Sequence, residues 1–362
     1  MILCANPLLE NKKHLKEIRK AITRVITSGS YILGSEVEKF EYNLAQYLGN
    51  KYSIGVNSGT DALILSLRAL NIKKNDEVIV PSHTATATVS AVITVGATPV
   101  FVDVREDDFN IDPNDLEKKI STKTKAILMV HLYGHPCAIT KIVEIAEQNQ
   151  IHVIEDCSQS LGATYESKPT GSFGILSCFS FYPTKNLGGI GDAGAISTNN
   201  KELFEKIKML RQYGWNEAKV SIFESNQSRL DEIQAAILNV KIKYLDETLL
   251  ERNKIAEIYS SNLNSFDIKV PNVSNKNRHS FHLYVIRIKN RQEVIEKLNS
   301  ENIFPGIHYK VPVHLSPAFT KYSSGKLVVT EQIANEILSL PLYPGLTKKE
   351  ILKVIEGIKN AS

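Results

Sequence analysis

The sequence predicts an α/β fold: a mostly parallel sheet covered by helices, followed by a smaller α+β portion. Three observations carry this expectation. From about residue 52, short β-branched runs alternate with helical patterns, as βα units require. A long helical stretch, 229–262, then breaks the alternation. Beyond it the pattern changes to isolated strand-like and helical segments.

The elements follow in order. Residues 12–28 place Leu15, Ile18, Ile22, Val25 and Ile26 at helical spacing, predicting an opening amphipathic helix. Strands are predicted at "EVIV" (77–80), "TPVFVDV" (98–104), "AILMVHL" (126–132), "IHVIED" (151–156) and "ILSCFSF" (175–181), with "GTDALILSLRAL" and "AITKIVEIAEQNQ" as intervening helices. "HSFHLYVIRI" (279–288) and "GIHYKVPVHL" (306–315) read as strands around a helix at 290–301. "TKKEILKVIEGIKNA" reads as a last helix, with Thr347 and Glu350 spaced as a capping box. The expected division is a large domain, 1–245, and a small one, 246–362, with the N-terminal helix free to pack on the small domain.

A chain of 362 residues is long enough for two domains. Its 43% hydrophobic and 23% charged content is that of a globular protein, and the net charge of +4 is scattered. No basic stripe with interleaved aromatics occurs, so nucleic acid is not an expected partner. No apolar run approaches the roughly 20 residues of a membrane helix, and no secretory signal pattern opens the chain, so a cytoplasmic protein with no membrane partner is expected. Cys4, Cys137, Cys157 and Cys178 form no C-x-x-C pair and read as buried, reduced thiols. His131 and His135 have i, i+4 spacing but flank a strand-to-turn junction without a third ligand, so no metal is expected. His279 and His282 read as packing or polar contacts at a strand start.

The stretch "FSFYPTKNLGGIGDAGAIST" (179–198) admits two readings. Gly189, Gly191 and Gly194 spell G-x-G-x-x-G, a dinucleotide-binding turn, which would make the protein an NAD-dependent oxidoreductase. Such a turn opens into a helix, whereas here the β-like "AISTNN" follows. These glycines are therefore expected to let backbone pass close beneath something bulky. Lys185 supports the other reading through its company. Asp156 ends a predicted strand, where a carboxylate is delivered into the crevice of an open sheet. "NSGTDAL" (57–63) is a small-residue turn entering a helix, with Asp61 in its first turn, and such a start offers N–H groups to a phosphate. Together these suit pyridoxal phosphate: a lysine joins its aldehyde, a carboxylate keeps the pyridine nitrogen protonated, and amides and hydroxyls hold its phosphate.

"NSGTDAL", "FVDV", "VIEDCSQSLGA", "SFYPTKNLGGIGDAGA", "SRLDEIQAAIL" and "GIHYKVPVHLSPAF" occur in the order and spacing of a known family. By them the chain resembles the DegT/DnrJ/EryC1/StrS sugar aminotransferases. The resemblance implies an aspartate-aminotransferase-like large domain with a mostly parallel, seven-stranded sheet, and pyridoxal 5′-phosphate (pyridoxamine phosphate in mid-reaction) as cofactor. It implies that Lys185 binds the cofactor aldehyde, that Asp156 pairs with the pyridinium nitrogen, and that Gln159 approaches the phenolic oxygen. Gly59, Thr60 and Ser180 would hold the phosphate. Members are typically homodimers, with the segment before "RLDEIQAA" reaching the partner's site. There the family often has Asn; this chain has Gln227, with Asn226 beside it. Ala85 stands where many members have an aromatic, and His83 is expected to supply a flat ring instead. Tyr182 flanks Lys185, and His308, Tyr309 and His314 lie in a segment expected near the sugar-binding mouth. Lysine at 185 separates the chain from the family's dehydratases, which carry histidine there.

The implied reaction moves an amino group from L-glutamate to C3 of a dTDP-3-keto-6-deoxyhexose, making an aminosugar for surface polysaccharide or glycoconjugate. The alternatives are amination at C4 of a UDP- or GDP-linked sugar and a non-catalytic regulator that binds the cofactor.

Overall fold

A computed structural model describes residues 1–264 and 268–361; the expected small domain, 246–362, thus includes residues 265–267 and 362, which lie outside the described residues. Seven strands make the central sheet: β1 (Tyr52–Val56), β2 (Glu77–Pro81), β3 (Thr98–Val102), β4 (Thr124–Val130), β5 (His152–Asp156), β6 (Leu176–Ser180) and β7 (Gly194–Thr198). Their order is β1-β7-β6-β5-β4-β2-β3. β7 runs antiparallel to both neighbours, and the remaining pairs are parallel.

Helices cover both faces, which is why the inner strands read as continuous apolar runs. The period of two sorts their side chains. Val78 and Val80 join one apolar cluster with the helices Gly59–Ala69 and Thr86–Thr94, while Ile79 joins another with the helix Ile139–Gln148. The strand Tyr52–Val56 and the helix Ser35–Leu48 were not legible from their patterns. The helix is capped from far away: the buried Glu232 carboxylate accepts from the N–H groups of Gly34 (2.7 Å), Glu36 (3.1 Å) and Val37 (2.9 Å).

Five expectations change. The opening helix begins at Leu15 rather than 12, after a short helix Pro7–Lys12 and a break where His14 stacks on Tyr244 at 3.9 Å. It packs Ile18, Ala21 and Val25 on Ala236, Ile237 and Val240, not on the C-terminal part of the chain. Residues 229–262 divide into Glu232–Lys241, a 3-10 turn Ile242–Tyr244, and Leu245–Leu263.

The strand expected at 279–288 shrinks to Tyr284–Arg287, paired antiparallel with Ile337–Leu340. Upstream, Phe281 has a positive φ of 42°, and Ser280 and Leu283 give their N–H groups to Gly134 and Tyr133. The strand expected at 306–315 is irregular and ends in a 3-10 turn, Val313–Leu315. Pro312 has no N–H for a ladder, Val313 donates to Ser82, and the carbonyl of His308 accepts from Tyr133. Each segment thus gives part of its backbone to the large sheet's loops, while Tyr284–Arg287 and Gly306 pair with the strand Ile337–Leu340.

The C-terminal cluster gathers Tyr259, Tyr284, Ile286, Leu298, Leu338 and Ile355, with Ile2 brought from the N-terminus. The Thr347–Glu350 capping box forms as expected.

Candidate active site

The C-terminal ends of the parallel strands face one crevice, where open α/β sheets bind ligands. Asp156 is the last residue of β5 and Ser180 the last of β6. Gly59 opens the helix that follows β1, His83 lies just past β2, and Tyr133 just past β4. Residues distant in sequence are thus delivered to one edge of the sheet.

Asp156 is buried, and each of its oxygens has one donor: Thr88 Oγ1 at 3.1 Å and the Ser158 N–H at 3.1 Å. Lys185 sits half-buried in a turn closed by its N–H donating to the Tyr182 carbonyl at 2.8 Å. Burial lowers its amine from 10.5 to about 8, against the opposing pull of the Asp156 charge. Among the described residues its Nζ has no hydrogen-bond partner. An amine that gives up its proton more readily than an ordinary lysine, near a fixed carboxylate, is what carbonyl chemistry at a lysine needs.

The phosphate end is equally specific. Ser58 caps the helix Gly59–Ala69 by accepting from the Asp61 N–H at 3.1 Å, leaving the first N–H groups without intrahelical partners. A Cβ on Gly59 would lie 2.6 Å from the Ser180 Cβ, so the Ser180 hydroxyl is pressed against the helix start. Thr60 follows at the next turn position. This is an anion cradle built of amides and a hydroxyl.

The G-x-G-x-x-G glycines do not wrap a pyrophosphate. Gly194 lets β7 pass against the backbone of Ser58 and Gly59, and Gly189 and Gly191 make room for the Gln234 side chain. Gly194 thus brings β7 against the phosphate cradle, and no helix starts among the three glycines.

His83 is 1% exposed, with Nε2 2.6 Å from the Tyr133 hydroxyl. Burial pushes its imidazole down to about 4, so it is neutral. Gln159 accepts from the Tyr133 N–H at 2.7 Å and donates to the Tyr309 hydroxyl at 3.1 Å. Burial raises the Tyr309 phenol to about 12. His308 bonds Ser339 Oγ at 2.9 Å, and burial, helped by the charge of Lys185, lowers its imidazole. Gln159, His83, His308 and Tyr309 thus belong to one wall.

The other expected residues lie differently. Tyr182 is 52% exposed at the rim. Asn226 lines a separate cavity of about 860 Å³ with Arg68, Lys73 and Lys206, at the C-terminal end of the helix whose N-terminus is Gly59. It therefore does not join its own chain's cradle. Gln227 is half-buried and bridges Gln212. His314 departs from the expected substrate role: it is fully buried, with its nitrogens on Ser82 Oγ and, at 3.4 Å, Glu331. It has no ring nitrogen left for a sugar.

His131 and His135 part company. His131 lies with Glu155 and Cys157 in a buried trio close enough to hold an ion. Hydrogen bonds account for it instead: His131 pairs with Glu155 at 3.0 Å, which also accepts from the N–H groups of Gly171, Phe173 and Gly174. His135 faces the carbonyls of Pro136 and Asn272. His279 stacks on Phe281 at 4.0 Å. His282 is buried, and burial, then the charge of Lys185, lower its imidazole strongly. Sequence patterns missed Tyr133 and Thr88, since nothing in one sequence tells a pocket tyrosine or threonine from a core one.

Lysine, carboxylate and anion cradle fit pyridoxal phosphate in type and arrangement. Related solved structures hold this cofactor as pyridoxamine or pyridoxal phosphate. The crystal structure of DesV from S. venezuelae matches with a TM-score of 0.96 and 40% identity, covering 99% of this chain and 97% of that one. A dTDP-3-amino-3,6-dideoxy-alpha-D-galactopyranose transaminase from Aneurinibacillus thermoaerophilus is 44% identical over 348 residues, 96% of each protein. A dTDP-3-amino-3,4,6-trideoxy-alpha-D-glucose transaminase from Streptomyces venezuelae is 41% identical over 360 residues, 98% of this chain and 95% of that protein. The DegT/DnrJ/EryC1/StrS aminotransferase family matches residues 12–359, and the chain belongs to that family of pyridoxal-phosphate enzymes.

Proposed function

We propose that this protein transfers the amino group of L-glutamate to C3 of a dTDP-3-keto-6-deoxyhexose. The observation that carries this reading is full-length likeness to two relatives named for dTDP-3-aminosugars, at 44% and 41% identity. A lysine lowered to about 8 beside a buried carboxylate supports the transaminase chemistry.

The bound cofactor supplies an aldehyde to carry the amino group and a ring that takes up electrons. Gly59, Thr60 and Ser180 hold its phosphate. Asp156, held by Thr88 and Ser158, would pair with the ring nitrogen and favour its protonated form. Gln159 would approach the phenolic oxygen, and His83 would supply the flat ring that Ala85 cannot. The Lys185 amine, once free, would take the proton from the donor's α-carbon and return it to the carbon on the far side of the transferred nitrogen. His308, Tyr309 and Tyr182 line the side from which the sugar enters.

We further propose a cytoplasmic homodimer, in which Asn226 and Gln227 serve the partner's site. Asn226's position away from its own cradle supports that arrangement. We also propose a domain division near residue 245, at the start of the helix Leu245–Leu263; support comes from its later residues Ile255, Tyr259 and Leu263, which join the C-terminal cluster, while Leu245 and Leu249 pack with the large sheet's core. The product enters surface polysaccharide or a glycoconjugate.

The test is incubation of the protein, pyridoxal phosphate and glutamate with dTDP-, UDP- and GDP-linked 3-keto and 4-keto sugars, followed by product mass spectrometry. Amination confined to dTDP-3-keto-6-deoxyhexoses is expected. Amination of a 4-keto sugar alone would overturn the substrate, and no amination anywhere would favour a cofactor-binding regulator.

A further inference from the structure

Tyr133 sits between His83 and the His308–Tyr309 segment, and its hydroxyl joins them. One partner is the carbonyl oxygen of His308, which can only accept, so the single phenolic proton goes there. The other is Nε2 of His83 at 2.6 Å. With its own proton committed, the Tyr133 oxygen can only accept from that nitrogen. A neutral imidazole carries one N–H. The proton of His83 is therefore on Nε2, and Nδ1 is bare. Nδ1 is buried with no hydrogen-bond partner, so no second contact competes for the ring.

The geometry leaves little freedom. His83 is enclosed by the rings of Phe109, Tyr133 and Tyr309, with centroids 6.5, 6.0 and 6.4 Å away. Tyr133 is itself held, with φ at 59° and its N–H on Gln159 Oε1 at 2.7 Å. Gln159 in turn donates to Tyr309, the neighbour of His308. A closed circuit thus runs from Tyr133 through Gln159 to Tyr309 and back through the His308 carbonyl. His83 hangs from it by one bond.

We propose that Tyr133 is a positioning residue that fixes His83 in a single tautomer, with N–H on Nε2, and ties its ring plane to the neighbouring His308–Tyr309 segment. The arrangement gives the ring one tautomer and one orientation, set by the segment beside it. Its consequence for turnover rests on the functional reading above; the tautomer itself does not.

The full-length protein, labelled with ¹⁵N-histidine, would be examined by two-bond ¹H–¹⁵N correlation spectra, with His83→Gln to assign the signals. Wild type should show protonated Nε2 and pyridine-type Nδ1. Tyr133→Phe should convert this to a mixture of tautomers and lower kcat/KM for the keto sugar about tenfold, the scale of one buried hydrogen bond. A wild-type His83 protonated on Nδ1 would overturn the proposal without any variant. So would a Tyr133→Phe spectrum identical to wild type. A protein with the expected tautomers that aminates no keto sugar would sink the functional reading and leave this one standing.

Discussion

The lowered Lys185 amine gives the sharpest test of the site. An amine at about 8 rather than 10.5 is about one-quarter neutral at pH 7.5, against roughly one part in a thousand for an ordinary lysine. The shift corresponds to at most about 3 kcal/mol of penalty on the buried ammonium, since Lys185 keeps part of its surface in water. Its sign is set by burial, with Asp156 opposing. The folded state thus favours the neutral amine, so this contribution to stability is complete above the unfolded value of 10.5 and is lost as pH falls to about 8. Asp156→Asn removes the opposing charge and should push the amine below 8. Competitive acetylation of the cofactor-free protein, read on the Lys185 peptide by mass spectrometry across pH 6–11, measures the midpoint. A midpoint near 10.5 in wild type, or one that rises in Asp156→Asn, would refute the reasoning.

Other outcomes follow from the same geometry. His83, at about 4 instead of 6.5, favours the neutral ring in the fold, so it should cost roughly 3 kcal/mol of stability as pH falls from 6.5 to 4. Urea unfolding of wild type and His83→Asn over that range should show the excess slope in wild type alone. Gly59→Ala puts a Cβ 2.6 Å from the Ser180 Cβ, and cofactor release followed by absorbance should be at least about tenfold faster. Glu232→Gln weakens a carboxylate that takes three N–H groups at the start of the helix Ser35–Leu48, and should lower stability by about 2 kcal/mol in denaturant titration. Chelators should leave activity unchanged, because hydrogen bonds already occupy the His131–Glu155 pair; lost activity restored by a metal would contradict this.

Local pattern determined the elements that bury a periodic face. The strands Glu77–Pro81, Thr98–Val102 and Thr124–Val130, the helix Ile139–Gln148 and the capped C-terminal helix all carry their signal within one short window. The same holds for Lys185 and Asp156, whose chemistry is legible from residue type and strand position, and for the family, through six motifs in order. Tertiary structure alone decided what depends on distant partners. Residues 306–315 have strand-like composition, yet their backbone groups are taken by Ser82 and Tyr133. His314 resembles a pocket histidine until Ser82 and Glu331 occupy it. Tyr133 looks like any aromatic until His83, Gln159 and His308 converge on it from three other segments. A hydrogen bond between residues a hundred positions apart leaves no trace in either local sequence, because its energy arises only when the fold has brought both groups out of water.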